Sequence, residues 1–206
     1  MTDCCNDKAC EIEALRGRQG SVLRKVLGIN AVMFAVELTA GLLAGSVSLV
    51  ADSLDMLGDA LVYGFSLYVV ARSARMKALS ALFKGGIMAV FGLFVLGQAI
   101  YTIVVPQVPV FEAIGAIGVL ALAANGLCLA LLWRHRADDI NMESIWLCSR
   151  NDIVANVSVI FAAIGVWLTG AGWPDILVGL ALAVLFLRSA LFVLRSATAE
   201  LRASNA

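Results

Sequence analysis

Charge is scarce in this chain. Lys, Arg, Asp and Glu together supply 15% of its 206 residues, where soluble globular domains carry about a quarter. The basic and acidic residues balance at zero net charge, so nothing in the charge suggests nucleic acid as a partner. Histidine occurs once, at His135. Without a second imidazole or a nucleophile–base set, an enzyme is not the expected function. Proline is nearly missing, with three residues at 106, 109 and 174. The polar start, MTDCCNDKACEIEALRGRQG, has no apolar h-region and no cleavage site, so it does not read as a signal peptide. Five cysteines form no secreted disulfide framework. Cys4, Cys5 and Cys10 crowd into the first ten residues, and Cys128 and Cys148 lie in apolar runs.

What fills the chain is hydrophobic, at 61%. A bilayer span takes about 20 apolar residues, and the sequence divides into six: 25–44, 47–71, 82–105, 110–133, 142–169 and 175–194. Every Lys and Arg falls before the first span, in the 2–3 or 4–5 connection with its flanking helix ends, or in the last part of the sixth span and beyond. The 1–2, 3–4 and 5–6 turns carry none. By the positive-inside rule the charged side is cytoplasmic. The expected fold is an all-α integral membrane protein, a six-transmembrane-helix bundle with both termini cytoplasmic. Residues 1–21 are read as a Cys-containing cytoplasmic tail, 22–198 as the membrane domain and 199–206 as a short cytoplasmic tail. The expected location is the bacterial inner (cytoplasmic) membrane.

The second span carries Asp52, Asp55 and Asp59. Steps of three and four put the three on one helix face. On insertion scales three central aspartates cost roughly 8–10 kcal/mol, and about a dozen apolar neighbours regain about 5. This helix therefore needs partners, water, protons or a metal ion, and such a cluster is by default a functional site. The fifth span repeats the spacing: Asp55-x-x-x-Asp59 is answered by Cys148-x-x-x-Asp152. If the two faces meet, three carboxylates and one thiol converge, a set suited to tetrahedral zinc, cadmium or cobalt. Asn30 and Glu37 share a face of the first span, and Asn156 follows Asp152 by one turn. Cys4, Cys5 and Cys10 are either an incidental tail or a capture site for soft metal. Cys128 reads as a small packing residue.

These motifs resemble the cation diffusion facilitator family. Gly41 to Asp59 (GLLAGSVSLVADSLDMLGD) looks like its helix 1–2 signature, Cys148 to Val157 (CSRNDIVANV) like its helix 5 signature, and Trp173-Pro174-Asp175 like the turn before its sixth helix. The resemblance implies that Asp55, Asp59, Cys148 and Asp152 form a transport site, with Asp52 supporting and Asn30, Glu37 and Asn156 nearby. It implies a secondary active transporter that exports divalent metal ions, zinc first and cadmium or cobalt next, in exchange for protons. Its partners are the metal ions, protons and the lipid bilayer, with no prosthetic group. Two departures stand out. Cys148 occupies a position where most members have His, and the family's cytoplasmic C-terminal metal-binding domain has no counterpart here, which leaves a homodimer open. The His-rich 4–5 loop common in zinc carriers is also missing. A membrane metal sensor or metal-binding partner that does not transport is the alternative.

Thiolate is softer than imidazole, so Cys148 should favour zinc, cadmium and softer ions. Cys148→His is expected to move selectivity away from the softest ions in transport assays across zinc, cadmium, cobalt, nickel and mercury. An unchanged profile removes Cys148 from the coordination shell.

Overall fold

The computed structural model describes the backbone of residues 3–69, 74–134 and 140–203, with side chains for most of 20–61, 85–134 and 152–202. Six helices follow one another: α1 (Asp3–Ala44), α2 (Val47–Val69), α3 (Ala74–Val104), α4 (Phe111–Trp133), α5 (Ile140–Thr169) and α6 (Trp173–Ala203). A helix covers each expected apolar stretch, the second of them as far as Val69, and α1, α3 and α6 run well past the apolar windows. Hydropathy locates only the part that faces lipid. The polar extensions are rich in Ala, Leu, Glu, Lys and Arg, which continue a helix at little cost.

Five helical stretches among the described residues are long and apolar enough to cross a membrane: Gly20–Ala44, Gly85–Val104, Phe111–Trp133, Asp152–Thr169 and Trp173–Ala199. The three-aspartate helix α2 has an unfavourable insertion sum for a helix surrounded by lipid. It is instead enclosed by protein, packing against α1, α3, α5 and α6. Every residue from Ser46 to Leu54 is buried. Val47, Val50, Ala51 and Leu54 meet Met88, Val95 and Ala99 of α3 and Ala183, Phe186 and Ala190 of α6. Leu49 turns to Ile114 of α4 and Val159 and Ala163 of α5. Met56 meets Met33 of α1 and Ala121 of α4.

The outside of the bundle is apolar. Val32, Leu43, Val90, Leu93, Phe161, Trp167 and Phe192 are exposed, whereas Asn30, Glu37, Asp52, Asn125, Asp152 and Asn156 are buried. A water-soluble fold sorts these side chains the other way. The α1–α2, α3–α4 and α5–α6 connections gather at one end. There the Val110 N–H donates to the Ala44 carbonyl at 3.1 Å, and a Cβ on Gly172 would lie 2.4 Å from the Gln107 carbonyl oxygen. Of the described basic residues, Arg24, Lys25, Arg134, Arg195 and Arg202 lie toward the other end by their positions along the helices, and Arg188 lies midway along α6.

The α1–α2 joint is two residues, Gly45 and Ser46. Gly45 takes φ +67°, the left-handed conformation a helix C-terminus favours. The Ser46 N–H then reaches back to the Gly41 carbonyl at 2.9 Å, the long closing bond of a Schellman motif. Ser46 also starts α2, its Oγ accepting from the Leu49 N–H at 3.1 Å, as an N-cap serine does. On α6, Gly179 lets the backbone pass against this first turn: a Cβ there would lie 2.6 Å from Val47 Cγ1 and 2.9 Å from the Ser48 nitrogen. Gly179→Ala should therefore lower stability by about 1–3 kcal/mol through overpacking, read as a depressed thermal transition of the detergent-purified protein. An unchanged transition would mean that α2 and α6 do not pack this closely.

Candidate metal site

Asp52, Asp55 and Asp59 descend α2 through the interior. Asp52 is buried, Asp55 and Asp59 half-buried. On α5, Asp152 is buried, and its carboxyl lies within side-chain hydrogen-bonding reach of both Asp55 and Asp59. The α2 and α5 faces therefore meet, and three carboxyl groups from two helices face one another inside the bundle. No group of three His, Cys, Asp or Glu side chains among the described residues stands close enough together to enclose a metal ion. The fourth member of the expected set, Cys148, lies on α5 one turn before Asp152, but its side chain is outside the described residues, as are those of Cys4, Cys5 and Cys10. His135 lies outside them too.

Asn156 anchors the α5 side. Its Nδ2 donates to the Asp152 backbone carbonyl at 2.7 Å, while its Oδ1 and Asp152 Oδ2 have no hydrogen-bond partner among the described residues. Glu37 of α1 is 0% exposed, and neither carboxyl oxygen has a partner among the described residues. It lies in electrostatic range of Asp52 and Asp55. Asp52 Oδ2 is likewise unpartnered. Unpaired buried carboxyl oxygens are expensive in a low-dielectric interior, so Glu37 and Asp52 extend the acidic interior toward the end where the α1–α2 joint lies.

Asn30 shares the buried face of α1 with Glu37 but points elsewhere. Its Nδ2 donates to the Val26 carbonyl at 3.0 Å and contacts Cys128 Sγ at 3.8 Å. Cys128 packs with Leu23, Val26 and Leu132, as its sequence context suggests. It also lies in electrostatic range of Asp59 and Asp152. An isolated Cys in an apolar run carries no signal for that neighbourhood, because α4 and α2 are brought together only by tertiary packing.

The residue that sequence reasoning left without a role is Asp175. It is 1% exposed in the first turn of α6. Its Oδ1 accepts from Ser46 Oγ at 2.6 Å, Ser48 Oγ at 2.5 Å and the Ser48 N–H at 3.2 Å, and its Oδ2 from the Val47 N–H at 2.6 Å. A charge buried with this many donors is fully solvated by protein, and it sits at the positive end of the α2 dipole.

A helical bundle with an apolar exterior and a carboxyl-lined interior defines an integral membrane protein of the cation-handling class. The family model for the cation efflux transmembrane domain matches residues 24–202, and the chain belongs to that family. Among curated relatives, the zinc transporter ZitB of Escherichia coli K12 is 30% identical over 190 residues, covering 84% of this chain and 60% of ZitB. The cation efflux system protein CzcD of Alcaligenes sp. strain CT14 is 25% identical, covering 84% of this chain and 59% of its own. A Bacillus subtilis protein named cadmium, cobalt and zinc/H(+)-K(+) antiporter is 26% identical, covering 81% and 59%. The chain thus spans about three-fifths of the length of these relatives. Its apolar helices and its bacterial relatives make it an integral protein of the inner membrane.

Glu37 combines full burial with two oxygens that have no hydrogen-bond partner among the described residues, so stability alone does not account for it. Glu37→Leu removes the unsatisfied atoms and is expected to raise stability by about 1–3 kcal/mol. Thermal unfolding of the purified protein checks this, and an unchanged or lowered transition would mean that the Glu37 carboxyl is satisfied in the folded protein.

Proposed function

We propose that this protein is a secondary transporter that exports divalent transition-metal cations from the cytoplasm in exchange for protons. Zinc is its main substrate, with cadmium and cobalt as further substrates. All six helices cross the membrane and both termini are cytoplasmic. The observation that carries this reading is the meeting of Asp55 and Asp59 of α2 with Asp152 of α5 inside the bundle, in a chain of the cation efflux family. The relatives' names support the metals and, in the Bacillus case, the proton coupling.

Asp55, Asp59, Asp152 and Cys148 are the proposed ligands of the travelling ion, two from each helix. Four O and S donors suit a tetrahedral ion. Carboxylate and thiolate bind metal only when deprotonated, so loading releases protons and protonation releases metal. Open to the less acidic cytoplasm, the site takes up metal. Open to the more acidic outside, it takes up protons and the ion leaves. Rocking of helices around a site near mid-membrane exchanges the two accesses. Asp52, Glu37, Asn30 and Asn156 support the site from neighbouring turns, and Cys4, Cys5 and Cys10 are a candidate cytoplasmic capture site for soft metal.

Everted membrane vesicles test the reading directly. Zinc uptake should require an imposed pH gradient and should fall to background in Asp59→Ala. Uptake that ignores both the gradient and the substitution sinks it.

A further inference from the structure

The acidic face of α2 works only if it reaches α5 at the right depth and rotation, and nothing in the aspartates themselves fixes either. The structure shows what does. Asp175 takes two consecutive backbone N–H groups, Val47 with one oxygen and Ser48 with the other. Together with Ser46 Oγ on Leu49, this satisfies the first three N–H groups of α2, which no intrahelical carbonyl can reach. A carboxylate fitted to two adjacent amides and two hydroxyls recognises one register only. A slip of one residue would turn the helix by about 100° and displace it by about 1.5 Å, carrying Asp55 and Asp59 away from Asp152.

The other end of the connection is equally fixed. Asp175 lies three residues beyond the short turn that joins α5 to α6. The start of α6 is pressed onto α5: a Cβ on Gly165 would lie 2.7 Å from Pro174 Cβ. One turn after Asp175, on the same face of α6, Gly179 admits the Val47–Ser48 backbone. The chain of contacts runs from α5 through Pro174 and Asp175 to the first turn of α2. Asp55 lies eight residues on, about 12 Å down a rigid helix.

We propose that Asp175 is a positioning residue for metal transport: by clamping the first turn of α2 to the α5–α6 turn, it sets the register in which Asp55 and Asp59 face Asp152. This rests on the transport reading above and assigns the site's geometry to a residue that touches no metal.

The test is zinc uptake by proteoliposomes containing the full chain, with KM and maximal rate separated and rates expressed per folded molecule. Asp59→Ala and a thermal transition are measured alongside. Asp175→Ala should raise KM for zinc about tenfold or more, the equivalent of at least one lost charge-assisted hydrogen bond. Asp175→Asn, which keeps one acceptor oxygen, should fall between it and the wild type. A lowered thermal transition with a wild-type KM overturns the proposal, since Asp175 would then only brace the fold. If Asp175→Ala does not fold, Ser48→Ala decides: it removes one hydroxyl donor and leaves both backbone amides in place. A raised KM supports the clamp, and an unchanged KM overturns it. Uptake that survives Asp59→Ala unchanged is a failure of the transport reading itself, and the clamp falls with it. Loss of uptake in Asp59→Ala with a wild-type KM in Asp175→Ala is a failure of the clamp alone.

Discussion

Carboxyl groups inside a low-dielectric bundle are the constraint from which the architecture follows. Asp52, Asp55 and Asp59 make α2 too polar to face lipid along its length. The helix is therefore wrapped by α1, α3, α5 and α6, and its first turns are buried on all sides. The more apolar α3, α4 and α6 present Val90, Leu93, Val119 and Phe192 outward. Enclosing α2 also brings Glu37 from α1 and Asp152 from α5 against it. One energetic requirement, shelter for three acids, thereby assembles an interior to which several helices contribute.

Interior acids create a second requirement, which is geometric. Carboxyl groups contributed by two helices, Asp55 and Asp59 on α2 and Asp152 on α5, stay within reach of one another only if the helices slide little. Small residues permit the close approach at Gly41, Gly165 and Gly179, but close approach alone leaves register open. The Asp175 carboxylate closes it with directional bonds. The polarity is used twice at different depths: at the α1–α2 joint a carboxylate is completely satisfied and structural, while deeper in the bundle Glu37, Asp52 and Asp152 retain unpartnered oxygens among the described residues. Satisfied polar groups rigidify, and unsatisfied ones mark where a cation or proton gains most.

Local pattern made several features legible. Apolar runs of bilayer length located the helices. Steps of three and four placed the aspartates of α2 on one face, and Asp152 at the matching spacing on α5 pointed to the facing helix. The limits of that pattern are visible at particular residues. Asn30 and Glu37 are seven apart on one face, yet Glu37 lies by Asp52 and Asp55 whereas Asn30 reaches Cys128. Two turns of helix carry them to different levels of the bundle. Asp175 was visible as part of a Trp-Pro-Asp turn, but its hydrogen-bond partners are more than a hundred residues away in sequence.

The sequence by itself determined the membrane class, the helix order and the candidate ligand types, because hydropathy, helical periodicity and side-chain chemistry are local properties. Tertiary structure alone decided which helix encloses which, that Asp152 meets both Asp55 and Asp59, and that a carboxylate on α6 caps α2. The physical reason is that contacts between helices depend on depth and rotation, and a linear pattern records neither. Those are set where backbones touch at glycines and where Asp175 accepts the first amides of α2.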